Sequence, residues 1–233
     1  MSWKGLRPST ISSAGIREQG NGVTAIPYRS TDGRVFRWRY KRKTGGEWWG
    51  SGTSQCLFGL EALPNAHVSG ASVVCLCEGE SDTLALRETI GEACPSVFAL
   101  GCPGASSYRE DWEVYLEPFD HVIVLGDGDD AGHEFTRRVQ GLFPRAGTAN
   151  MPDGDDVRSM IQGVSADSVL EMIRECVELE AMIREHFPWD GKTPSARAMV
   201  ERGEVMPLLD EQTTVDMDGE AVPVTPIRRD SLS

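Results

Sequence analysis

The sequence predicts an α/β protein: a parallel sheet flanked by helices, preceded by a small β-rich subdomain and followed by a helix and a flexible tail. Three observations carry this. Continuous apolar runs at Val73–Cys77, Val97–Leu100 and Val122–Leu125 have the length and composition of strands buried on both faces. Helical patterns at Glu80–Ile90 and Ala131–Phe143 alternate with them, and a βαβαβα succession gives a largely parallel sheet. Ahead of Pro64 the pattern differs. An apolar run from Val23 to Tyr28 and a β-rich segment from Arg34 to Tyr40 flank Asp32-Gly33, a hairpin signal because glycine supplies the positive φ such turns need.

Taken in order, the hairpin's second strand sets Val35, Arg37 and Arg39 on one face and Arg34, Phe36, Trp38 and Tyr40 on the other. One side offers aromatics for packing, the other guanidinium groups. Trp48, Trp49 and Leu57-Phe58-Gly59-Leu60 complete a subdomain bounded at residues 1–66. Large aromatics usually bury, so both tryptophans are expected in the core rather than as platforms for bases. The α/β domain spans residues 67–164. Within it Gly91 stops the first helix, Gly101-Cys102-Pro103-Gly104 forms a loop, and Trp112 to Leu116 is expected to be helical. Ser165 is a fitting N-cap for a long amphipathic helix to His186, striped by Val169, Met172, Ile173, Cys176, Val177 and Ile183. That C-terminal helix is assigned residues 165–188, and the Pro-, Gly- and acid-rich stretch 189–233 is expected to be a flexible tail.

Composition narrows the function classes. A net charge of -13 argues against a protein that coats nucleic acid non-specifically. No stretch approaches the roughly 18 apolar residues that span a bilayer, and the N-terminus lacks a signal-peptide core. The six cysteines are scattered without a CxxC pair, which points to a reducing cytoplasmic compartment and away from a cysteine-based zinc site. Against the acidic background, Arg29, Arg34, Arg37, Arg39, Lys41, Arg42 and Lys43 form a basic stripe interrupted only by Asp32.

In open parallel sheets the functional crevice lies outside the carboxyl ends of the strands. Two acidic clusters fall there: Glu78-Gly79-Glu80-Ser81-Asp82 after the first strand, and Asp127-Gly128-Asp129-Asp130-Ala131-Gly132 after the third. Acidic residues also serve as ordinary helix caps. Two such clusters, each directly after an apolar strand, favour instead a site for Mg²⁺ or Mn²⁺, because repelling carboxylates stay ionised only when cations compensate them. A hard divalent ion in turn neutralises charge developing on phosphate oxygens. His133 and the pair Arg137 and Arg138 adjoin this region but are expected on the helix surface.

These residues resemble the TOPRIM family of metal-dependent phosphodiester enzymes, in the form found in phage and bacterial DNA primases. Glu78-Gly-Glu-Ser-Asp82 resembles its first motif and Asp127-Gly-Asp129-Asp-Ala-Gly132 its DxDxxG motif. Leu100-Gly101-Cys102-Pro103-Gly104-Ala105 is similar to a glycine-rich loop between them. Ile26-Pro27-Tyr28 through the Arg-rich strand, and Leu57-Phe58-Gly59-Leu60, resemble the subdomain that precedes TOPRIM in primases. Pro152-Asp153-Gly154-Asp155-Asp156-Val157 resembles a third acidic stretch, with Asp155 where the family usually has lysine.

The resemblance implies a DNA primase-like nucleotidyltransferase making RNA primers on single-stranded DNA from ribonucleoside triphosphates. It implies that Glu78, Asp127, Asp129 and Asp156 hold Mg²⁺ or Mn²⁺, with Glu78 as ligand or general base and Asp82 in support. Arg29, Arg37, Arg39, Lys41, Gly101 and Gly104 would meet template or nucleotide, since guanidinium suits phosphate geometry. A TOPRIM nuclease, or a non-catalytic adaptor in replication or recombination, are the alternatives. No zinc-binding or helicase module is legible in the sequence, so a separate helicase or zinc-binding subunit is an expected partner.

Overall fold

The computed structural model describes residues 3–51, 55–91, 94–186, 213–215 and 221–223. A short helix α1 (Pro8–Ser13) leads into β1 (Arg17–Gln19), β2 (Val23–Arg29), β3 (Val35–Arg42) and β4 (Glu47–Trp49), an antiparallel sheet in that spatial order. The β2–β3 turn closes at Gly33, whose φ of 83° is the positive value expected of the Asp-Gly pair.

After α2 (Leu63–Val68) come β5 (Val73–Cys77), α3 (Glu80–Ile90), β6 (Val97–Gly101), α4 (Glu113–Leu116), β7 (His121–Gly126), α5 (Asp130–Leu142) and β8 (Gly147–Asn150). Their four strands form a parallel sheet in the order β6-β5-β7-β8. The predicted α/β class is therefore the observed one. Strand β8 escaped the sequence pattern because Gly-Thr-Ala-Asn is a short edge segment without an apolar run. Two further helices, α6 (Val157–Gln162) and α7 (Ala166–His186), follow. Ser165 caps α7 by accepting the Ser168 amide at 3.2 Å.

Alternation along the parallel strands sorts the core into two layers. Val74, Leu76, Val122 and Val124 face Phe135 and Val139 of α5 together with Ile26, Tyr28 and Phe58. Val73, Cys75, Cys77, Ile123 and Leu125 face Leu86 and Ile90 of α3, Val157 and Ile161 of α6, and Val169 and Ile173 of α7. The first layer is continuous across residue 66, so the antiparallel and parallel sheets share one core. A mutual pair of main-chain hydrogen bonds between Phe58 and Gly101 also joins the N-terminal part to the β6 edge.

Cys75 and Cys77 are buried thiols within that core, as expected, and all six cysteines are free. The expected flexible tail, 189–233, lies outside the described residues except for a two-stranded antiparallel ribbon, β9 (Thr213–Val215) with β10 (Ala221–Pro223). Among the described residues no helix is long and apolar enough to cross a membrane.

Candidate metal and nucleotide site

Strands β5 and β7 are direct neighbours, with Cys77 opposite Leu125, so the chain leaves both at the same edge. Glu78 and Asp127 emerge there side by side. Gly79, in extended conformation, precedes α3, and Asp129 is the N-cap of α5. The ordinary helix-cap reading is partly correct: Asp129 Oδ1 accepts the Gly132 amide at 2.8 Å, and Asp127 Oδ1 accepts the Val157 amide at 3.1 Å. Each retains a second oxygen. Glu78 Oε2 is buried and has no hydrogen-bond partner.

The electrostatics record a mutual repulsion. Burial, then Asp127, Asp129 and Asp82, push the Glu78 carboxyl up to about 7. Burial, then Asp127 and Asp156, push Asp82 up to about 6, and Asp127 is raised by burial and by its acidic neighbours Asp156 and Asp129. A cation is the physical remedy for such a cluster. Among the described residues, however, no group of three His, Cys, Asp or Glu is arranged to hold an ion by itself. An orphaned buried carboxylate oxygen with too few protein ligands fits Mg²⁺ better than a closed cage. That ion keeps several waters and takes one or two carboxylates plus substrate phosphates.

Asp156 departs from the expectation that it is a free metal ligand. Its carboxylate caps α6 through the Ser159 amide and hydroxyl and pairs with Arg158. Burial opposes ionisation, but these partners hold its pKa below the usual range. It adds negative charge near Asp82 and Asp127.

The glycines have steric reasons. A Cβ on Gly128 would lie 1.9 Å from the Pro152 carbonyl oxygen, because this loop is zipped to the 152–155 segment by Gly128 N–H to Asp155 O and Gly154 N–H to Gly128 O, both 2.8 Å. A Cβ on Gly132 would lie 2.1 Å from the Asp127 carbonyl oxygen. On Gly101 it would meet Thr83 Oγ1 at 2.5 Å, whereas Gly104 sits at a φ of 119° and packs beside Arg39.

The basic strand behaves differently from the prediction. On the face carrying Arg37, Arg39 and Lys41, Arg39 is buried and, with Lys41, turns onto Glu80 of the α/β domain. Arg39, 4% exposed, donates to Glu80 Oε1 at 2.8 Å and pairs with Glu47, with the Trp49 ring 5.4 Å away. Alternation identifies the face; it cannot say that a buried glutamate covers it. Lys41 Nζ pairs with Glu80 Oε2 at 2.9 Å, and with Arg39 it holds the buried Glu80 carboxyl below the usual range. Arg37 Nε donates to the Gly50 carbonyl at 3.1 Å under Trp49, and Arg29 Nη1 to the Gly33 carbonyl at 3.0 Å.

Trp48 also differs from the expected core position: it is 40% exposed, stacked on Tyr40 with ring centroids 5.4 Å apart, and Arg42 lies over it. Trp49 is half-buried against Tyr28. His133 is half-buried on the first turn of α5, Arg137 is exposed and paired with Glu134, and Arg138 donates to the Tyr108 carbonyl.

Two residues escaped the sequence reading. Glu80 is fully buried and accepts the Tyr28 hydroxyl at 2.6 Å; its position one residue beyond the motif glycine was the only signal. Arg87 on α3 donates to the Ala99 and Gly59 carbonyls, tying the edge strand to the N-terminal part.

With this geometry in hand, comparison with known proteins defines the class. The chain carries a Toprim-like stretch: residues 75–161 match the Toprim-like family model. It is 32% identical over 98 residues to the Gene 57 protein of Mycobacterium phage D29; the match covers 42% of this chain and 60% of that protein's length. Among solved structures, the primase fragment of the bacteriophage T7 primase-helicase aligns with a TM-score of 0.55 at 22% identity, over 69% of this chain and 68% of that one. A DNA primase domain from Pseudomonas aeruginosa gives 0.56 at 16%, over 84% and 69%, and the E. coli primase catalytic core 0.54 at 18%, over 83% and 68%. At these identities the structures establish a shared fold.

Proposed function

We propose that this chain is the catalytic part of a primase-type, divalent-metal-dependent nucleotidyltransferase that builds RNA primers on single-stranded DNA. The observation that carries the reading is the meeting of Glu78, Asp82, Asp127 and Asp129 at one edge of a Toprim-like sheet, with a buried Glu78 oxygen left without a partner.

Glu78, Asp127 and Asp129 are the residues that would hold Mg²⁺ or Mn²⁺, which when bound neutralises charge on the phosphates of template and nucleotide. Glu78, at the edge where the ion would sit, is placed to take the proton of an attacking 3′-hydroxyl as a general base. Asp82, buried on the first turn of α3, orients that loop. Gly101 and Gly104 let the β6 loop approach closely. Arg42 and the Tyr40–Trp48 stack offer the solvent-facing cationic and aromatic surface for the strand itself, since every base has a π-face. A helicase or a zinc-binding subunit remains the expected partner for loading.

The test is incorporation of labelled ribonucleotides on single-stranded DNA with Mg²⁺ or Mn²⁺, comparing wild type with Asp127→Ala. Short RNA products that vanish in the variant are expected. Metal-dependent loss of the DNA without RNA would replace this reading with a nuclease.

A further inference from the structure

A carboxylate with no solvent exposure is costly unless it is paired and hydrogen-bonded. Glu80 is such a group, at the first position of α3 and two residues beyond Glu78. It points away from the acidic cluster into the antiparallel sheet, where Tyr28 Oη lies 2.6 Å and Arg39 Nη1 2.8 Å from Oε1, and Lys41 Nζ 2.9 Å from Oε2. Glu47 takes the other side of Arg39 and lies 3.7 Å from Lys41. Two cations thus face two anions, and the block is neutral. Its edge abuts the candidate site: Arg39 Nη2 is 3.8 Å from where a Gly104 Cβ would stand, and the intervening Cys102 thiol feels the charges of both Glu78 and Arg39.

We infer that Glu80 is a positioning residue whose carboxylate holds Arg39 and Lys41 off the acidic cluster, leaving Glu78 and Asp127 free for a divalent cation. The inference rests on the metal reading above. A guanidinium released from Glu80 keeps Glu47, which is half-exposed, as its carboxylate partner, while a buried oxygen of Glu78 without a hydrogen-bond partner lies on the same loop as Glu80. An internal Arg–Glu pair there would compete directly with the metal. A staple between the sheets would also need Glu80, but it predicts lost stability with unchanged metal affinity in the folded protein.

The experiment is Mn²⁺ binding to the full chain, read from loss of the free-ion electron paramagnetic resonance signal, with circular dichroism as the check on folding. Glu80→Gln should weaken Mn²⁺ about tenfold, the scale of one added competing ion pair. Removing the competitor as well, in Glu80→Gln/Arg39→Gln, should recover most of that loss. Should Glu80→Gln not fold, Glu80→Asp, which keeps the charge but withdraws it by one methylene, takes its place beside the double variant. Wild-type affinity in the folded single variant, or a double variant no tighter than the single one, overturns the inference alone. Absence of Mn²⁺ binding by the wild type overturns both the inference and the metal reading.

Discussion

Replacing Gly132 by alanine sets two physical effects against each other with opposite signs. Gly132 lies in the first turn of α5, and helix propensity alone predicts that alanine stabilises by about 1 kcal/mol. The tertiary environment predicts the reverse. The new Cβ would lie 2.1 Å from the Asp127 carbonyl oxygen and 2.5 Å from its nitrogen, where ordinary contacts begin at 3.4 Å, so one backbone must yield by about 1.3 Å. Overpacking of rigid backbone costs roughly 1–3 kcal/mol, which outweighs the propensity gain or at least cancels it. The displaced group is Asp127 itself, and a misplacement of about 1 Å at a reacting centre costs about 100-fold in rate. The control lies in the same helix: nothing stands within 4 Å of a Cβ on Gly141, so Gly141→Ala should gain up to about 1 kcal/mol. Urea denaturation of the two variants, with primer synthesis assayed in parallel, measures both effects. Gly132→Ala as stable and as active as Gly141→Ala would refute the steric explanation of the motif glycine.

Other perturbations follow from the same geometry. Gly128→Ala should lose the two loop–loop hydrogen bonds to the 152–155 segment, each worth about 1 kcal/mol, and lower the thermal midpoint measured by circular dichroism. Arg87→Ala leaves the Ala99 and Gly59 carbonyls without their donor and should destabilise by about 3 kcal/mol, since each buried group left unpaired costs about 1–3 kcal/mol. Glu78 is raised to about 7 from an ordinary 4.5, so the folded state binds its proton more tightly than the unfolded chain. Its contribution to stability therefore falls as pH rises from about 4.5 to 7. Thermal midpoints across that window should decline less in Glu78→Gln than in wild type, and Mg²⁺ should reduce the wild-type decline. Trp48→Ala should weaken single-stranded DNA binding in a fluorescence titration with little change in the melting point, because stacking on an exposed aromatic is worth about 1–3 kcal/mol per base.

Much of this protein is determined locally, and the sequence shows it. The apolar runs of β5 and β7 are buried on both faces and form the central strands, while that of β6 pairs beside β5 at the sheet edge. The acids following β5 and β7 lie at their carboxyl ends by connectivity alone, and the Asp-Gly turn and the Ser165 cap are backbone chemistry of a few adjacent residues. The tertiary structure decided what depends on residues far apart in the chain. It turned Arg39 inward onto Glu80, 41 positions away, committed Asp156 to α6 and Arg158, left Trp48 in solvent, and added β8 at the sheet edge. Period and composition say which residues share a face; which face is covered, and by what charge, is settled only when two sheets pack against one core.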